Sequence, residues 1–152
     1  MKKTAYWTLD LTKYADAQKV NIKEFLHRFV YNLYSNVVKI TPVDSGRCRA
    51  NWNIGIGTIN STVNENATKP QFTSRAKMPK ANNGEPYFIS NHLRYTPLLE
   101  FGGYPKPPRN PATAKTVNGY SKQAPNGMVR VTLANKEPLL QDALMKSKRK
   151  VK

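Results

Sequence analysis

Near the start of the chain, Trp7, Leu9 and Leu11 alternate with Thr8, Asp10 and Thr12. A period of two predicts a short strand with one buried face. From about Ala15 the period lengthens. Ile22, Leu26, Phe29, Leu33 and Val37 follow spacings of four, three, four and four, and Phe25, Val30 and Ile40 widen the stripe. Lys19, Lys23, Glu24, Arg28 and Asn32 fall on other faces. This predicts an amphipathic helix of about seven turns against a core. Pro42 ends it, because proline disfavours helical geometry in the residue before it.

Thr41 to Arg47 reads TPVDSGR, which is turn chemistry. Asp44 and Ser45 can accept nearby backbone N–H groups, and Gly46 permits positive φ. Trp52, Ile54, Ile56 and Thr58 then alternate with Asn51, Asn53, Gly55 and Gly57. They predict a second strand whose outer face is bare or closely approached at the glycines. Tyr87 to Asn91 predicts a short buried strand. Arg94 to Phe101 predicts a helical turn ended by Gly102 and Gly103. Between Met128 and Ala134 the apolar period does not decide between strand and helix. After Lys136, Leu139, Leu140, Ala143 and Leu144 predict a helix, with Pro138 beginning or kinking it.

The fold class expected is therefore α+β. A long N-terminal amphipathic helix packs on a small antiparallel sheet, with long polar loops and a C-terminal helix. One domain spans about residues 1–145, with loops near 60–86 and 104–124, and a basic tail covers 146–152. The first loop has no usable period, and the second holds prolines at 105, 107, 108 and 111. With little apolar surface of their own, both loops are expected to order on a partner.

Charge changes the picture. Lys and Arg total 25 against 9 Asp and Glu, a net +16. Such a field attracts phosphate or acidic protein surfaces. Part of it is the KSKRKVK tail, read mainly as a solvated end. Cys48 is the one cysteine, so an intrachain disulfide is excluded and assembly in a reducing cytoplasm is expected. No stretch has the length of a membrane span. The N-terminus begins like a signal peptide, but Asp10, Lys13 and Asp16 interrupt any apolar region, so secretion is not expected.

Catalytic groups are sparse. His27 lies beside the apolar stripe, as a surface or boundary residue. A nuclease of His92, Lys80 and Glu85 or Glu100 can be drawn, but nothing in the spacing requires it. Cys48 has no local histidine and reads as a small buried apolar residue. The glycines at 55 and 57 lack the rest of a dinucleotide fingerprint. Arg47 and Arg49 flank Cys48 after the turn. They form either a basic pair facing phosphate or a partner's carboxylate, or a local salt bridge to Asp44. Trp52 and Tyr87 could stack on bases, but their places within strands favour the core. Glu100 stands alone in LLEFGG and needs a cation, an arginine of this chain or of a neighbouring subunit, with Arg47, Arg49 and Arg130 as the candidates.

Three stretches, TPVDSGRCRANWNIGIG (41–57), YFISNHLRYTPLLEFGG (87–103) and APNGMVRVTL (124–133), together resemble the head–tail joining or tail-completion proteins of long-tailed phages. In that family a long helix leads into a TPVDTGRLR-xxW turn and strand. A Y-x-x-x-NxxxYxxxLEYG segment and then AP-x-GMVR follow. Thr41, Pro42, Val43, Asp44, Gly46, Arg47, Arg49 and Trp52 match the first motif. Asn91, Tyr95, Leu99, Glu100 and Gly102 match the second, and Ala124, Pro125, Gly127, Met128, Val129 and Arg130 the third. Ser45, Cys48 and Phe101 depart from it. The motifs cover about a third of the chain, in order.

The resemblance implies a structural virion protein of the neck, assembled in the host cytoplasm. It implies a homo-oligomeric ring, with six subunits favoured over twelve, that contacts head connector and tail tube proteins and lies close to packaged DNA. It implies no catalysis, and no cofactor, metal, membrane or small-molecule substrate. Asp44, Arg47, Arg49, Trp52, Asn91, Tyr95, Glu100 and Arg130 are its candidate motif and interface residues. The alternative, resting on charge alone, is a phage-encoded accessory protein that binds nucleic acid without sequence preference.

Overall fold

The structure is a computed structural model that describes residues 20–148. The strand expected at Trp7 to Thr12 lies outside those residues. Helix α1 spans Ile22–Ile40. It begins later than its apolar period suggests, because Asn21 caps it: the Asn21 side chain accepts the Glu24 N–H at 3.2 Å. Glu24 in the first turn and Lys39 in the last complement the helix dipole. Before Pro42, Thr41 turns extended and gives its N–H to Val37 and Val38.

Helix α1 divides its apolar surface between two clusters. Phe25 and Phe29 pack with Val20, Leu140, Ala143 and Leu144. Val30, Tyr34 and Val37 pack with Cys48, Trp52, Ile54, Met78, Leu93, Leu99 and Met128. After Thr41, Gly46 turns the chain at φ +86°, and a Cβ there would meet the Thr68 carbonyl oxygen at 2.5 Å. Position 46 is therefore closed to a side chain both by conformation and by space. The short helix α2, Arg47–Ala50, leads into strand β1, Asn53–Ile56. Strand β2, Tyr87–Ser90, pairs with it antiparallel, Ile54 opposite Ile89 and Gly55 opposite Phe88.

Two expectations fail here. Asn51 and Asn53 belonged to the outer face of the second strand, yet they are 1% and 0% exposed. The chain from Asn60 onward folds over them. And the first loop is not short of core contacts: Met78 and Ala81 are buried, and Phe72 packs edge-on against Tyr34 at 5.5 Å. An irregular segment entered the core by contributing single apolar side chains, which no periodicity reports.

Helix α3, Thr96–Phe101, ends at Gly102 with φ +75°. The second loop contains a two-stranded hairpin, β3 Thr116–Val117 and β4 Tyr120–Ser121. Its Asn118-Gly119 turn has φ of +52° and +82°, both positive, as a two-residue type I′ hairpin turn requires. Helix α4, Val129–Ala134, resolves the ambiguous stretch as helical. Helix α5, Lys136–Ser147, runs past the expected boundary at residue 145 and packs along α1. Val20 and Lys148 form an isolated antiparallel bridge beside it.

Candidate functional site

Glu100 organises the junction between the second and third motifs. It is 6% exposed, at the last turn of α3. Its Oε2 accepts the N–H of Met128 at 2.6 Å and of Val129 at 2.8 Å, and Oε1 accepts that of Arg130 at 3.0 Å. These N–H groups open α4 and have no partner inside the helix. A carboxylate from another element thus caps the helix, where the dipole favours negative charge. This is why Met128 to Ala134 is a helix although Val129, Val131 and Leu133 alternate.

The cation expected beside Glu100 is Arg130. Its Nε lies 3.2 Å from Oε1, and an Nη donates to the Glu100 carbonyl oxygen. The guanidinium also sits 5.5 Å from the Phe101 ring centre and 6.0 Å from that of Tyr120. Its side chain remains 45% exposed. Gly127 makes the arrangement possible: its φ is +86°, and a Cβ there would come within 2.6 Å of the Glu100 carbonyl oxygen.

Asn91 joins the first motif to the second. Its Nδ2 donates to the Cys48 carbonyl oxygen at 2.9 Å, and its Oδ1 accepts the Leu93 N–H and the Thr96 hydroxyl. Cys48 is buried beside them, and burial pushes its thiol pKa up. That is the opposite of nucleophile activation. Tyr95 packs against the same core, and burial raises its phenol pKa. Trp52 is buried and donates its indole N–H to Thr41 at 2.9 Å. It offers no stacking face.

The basic pair does not act as a pair. Arg49 turns back to the carbonyl oxygens of Thr41 at 2.9 Å and Lys39 at 2.8 Å, covering the end of α1. Arg47 meets Glu65 at 3.2 Å, on the surface. The local bridge to Asp44 does not form, since Asp44 meets Lys115 at 3.1 Å. Among the candidates, then, Trp52, Asn91, Glu100, Arg49 and Arg130 hold segments together, whereas Asp44 and Arg47 sit in exposed pairs.

His27 corrects the sequence reading most sharply. It is 4% exposed, not at the surface. Its Nε2 lies 3.3 Å from the Met78 carbonyl oxygen and its Nδ1 3.2 Å from an Nη of Arg75. Arginine only donates, so Nδ1 accepts and Nε2–H donates: both contacts need the neutral ring. Desolvation lowers its pKa, and Arg75 and Lys80 add to that against opposing pulls from the Met78 hydrogen bond and from Glu24. Glu24 bonds Arg28 and Arg75 at 2.9 and 3.1 Å, with Lys80 at 3.8 Å. Of the nuclease set, Glu100 caps α4 and Lys80 faces Glu24, whereas His92 is exposed and Glu85 accepts the Asn83 N–H.

Sequence reasoning missed the fully buried amides. Asn53 Nδ2 donates to Asn60 and Thr62 carbonyl oxygens at 3.3 and 2.7 Å, and its Oδ1 accepts from Gln71 at 2.6 Å. Asn51 bonds the backbone of Asn64 in both directions, at 2.7 and 2.9 Å. It also missed Tyr120 and Phe101 around Arg130. The Asn118-Gly119 doublet, a strong hairpin signal, was available and could have placed Tyr120 in a strand.

Beside Arg130 a shallow open cavity of about 300 Å³ is lined by Tyr120, Pro125, Asn126, Arg130, Val131 and Ala134. Among the described residues, no three His, Cys, Asp or Glu side chains gather into a possible metal site, and no helix is long and apolar enough to cross a membrane. No protein-family model, no curated protein and no solved structure matches this chain.

Proposed function

We propose that the chain is a structural subunit of a tailed-phage neck, forming a homo-oligomeric ring between head connector and tail. One observation carries this reading. Two residues that match the motifs tie the three stretches to one another: Asn91 bonds the Cys48 carbonyl oxygen, and Glu100 bonds Met128, Val129 and Arg130. A motif whose polar residues are spent on joining segments suits a part that is assembled, and the proposed role includes no catalytic step. The net +16 suits a ring around a DNA passage, or an acidic neighbour.

Immunogold electron microscopy of phage particles, with an antibody against this chain, tests the reading. Label at the head–tail junction is expected. Label elsewhere on the particle, or on none, overturns it. Chain that is missing from particles but recovered on DNA, with binding that falls steeply as salt rises, would favour the nucleic-acid-binding alternative.

A further inference from the structure

The Arg130 cavity has a chemistry that the Glu100 junction does not exhaust. Glu100 is already met by three backbone N–H groups before Arg130 is counted. Three N–H groups and the guanidinium share one carboxylate, so the donors of the junction are in excess. That excess reaches the surface, because the Arg130 side chain is 45% exposed whereas that of Glu100 is 8% exposed. The guanidinium is also held in place, by Glu100 on one edge and by the Phe101 and Tyr120 rings. A cation fixed in advance loses little freedom when it grips a carboxylate. The remaining walls are mostly apolar: Pro125, Val131, Ala134 and the Tyr120 ring, with Asn126 as a second polar group.

We propose that this cavity is a docking site for an acidic polypeptide segment of a partner protein, in which a carboxylate meets Arg130 and an adjacent apolar side chain lies against Val131 and Ala134. Charge selects the occupant. Among the described residues Arg130 is the one cation lining the cavity, whereas a nucleic-acid backbone presents a row of phosphates and needs a row of cations. A second copy of this chain offers only 9 carboxylates against 25 lysines and arginines, so it is a poor source of an acidic segment. A partner with an acidic surface is attracted by the field of the net +16. The inference does not depend on the neck reading.

The probe is a short labelled peptide alternating glutamate with leucine, titrated into the full chain and followed by NMR. Expected are shifts centred on Tyr120, Asn126, Arg130 and Val131, and binding that weakens with salt. Ala134→Glu places a competing carboxylate at an exposed position in the cavity wall, and should weaken binding at least about tenfold with the fold retained. Ala134→Lys, which disturbs the same wall with the opposite charge, should weaken it less than Ala134→Glu does. No binding, shifts centred elsewhere, or equal binding of a peptide with glutamine for glutamate overturns the proposal. So does displacement of the peptide from these residues by a DNA duplex, which would assign the cavity to phosphate. Self-association that Ala134→Glu abolishes would assign it to a second copy, and overturns it as well.

Discussion

The two long irregular segments look alike in composition and are held in different ways. Residues 60–86 are fastened from beneath. Asn51 and Asn53, fully buried, bond the backbone of Asn60, Thr62 and Asn64, and Met78, Ala81 and Phe72 reach into the core. His27 and Glu24 of α1 hold Met78, Arg75 and Lys80. Residues 104–123 are held by Tyr104 on the core, by Tyr120 beside Arg130, and otherwise by themselves. Gly103 and Tyr104 give their N–H groups to Gly119, Lys122 gives its own to Lys115, and among the described residues β3 pairs only with β4. Their ties to the first motif are surface ones, Gln123 on the Val43 backbone and Lys115 on Asp44. A polar segment belongs to the core when a neighbouring strand turns hydrogen-bonding side chains toward it. Its own composition does not decide the matter.

The largest expected effect comes from the far anchor of the second segment. Glu100→Ala strips α4 of its cap and leaves Arg130 without its carboxylate, and should destabilise the chain by about 3–5 kcal/mol in urea unfolding. A loss under about 1 kcal/mol would mean that Ala124 and Met128 anchor that end alone. Next is Asn53→Ala, which removes three hydrogen bonds at a position 0% exposed and should cost about 2–3 kcal/mol. Protease cuts should then appear between residues 60 and 71, with the pattern at 104–119 unchanged.

Acid should separate the segments by itself. The pKa of His27 is lowered on folding, so the unfolded chain takes up the proton first. Stability is therefore full above about 6.5, the ordinary histidine value, and falls as pH drops below it toward the folded-state value. Protonation sets Nδ1–H against Arg75, so cleavage near residues 75–81 should rise as pH falls, and His27→Gln should flatten that dependence. The smallest effect is that of Lys115→Ala. Its bridge to Asp44 joins side chains 78% and 88% exposed, and its loss should stay within about 0.5 kcal/mol.

Sequence periodicity made the regular framework legible: the body of α1, its stop at Pro42, the strands around Ile54 and Ile89, the turn at Gly46 and the end of α3 at Gly102. Each rests on local rules. The need of Glu100 for a partner was also legible, because an isolated carboxylate among Leu98, Leu99 and Phe101 is costly to bury. What the carboxylate does was not. Capping α4 requires knowing that Met128 lies against α3, and that is a long-range fact. The same holds for His27, which sits beside the apolar stripe of α1 and is buried by residues 75–80, almost fifty positions along the chain. Asn51 and Asn53 followed the polar phase of a strand and were read as outward, since alternation cannot tell a solvated face from one covered by a polar loop.

Hydrogen–deuterium exchange on the free chain and on assembled particles tests most directly the claim that this is an assembly subunit whose second segment meets the neighbours. In the free chain, the amides of Asn64 and Ala81 should be protected and most of those between 105 and 118 should exchange quickly. In the particle, the second set should become protected and the first should change little. Equal protection of both segments in the free chain, or a second segment that exchanges as fast in the particle as in solution, would contradict the account.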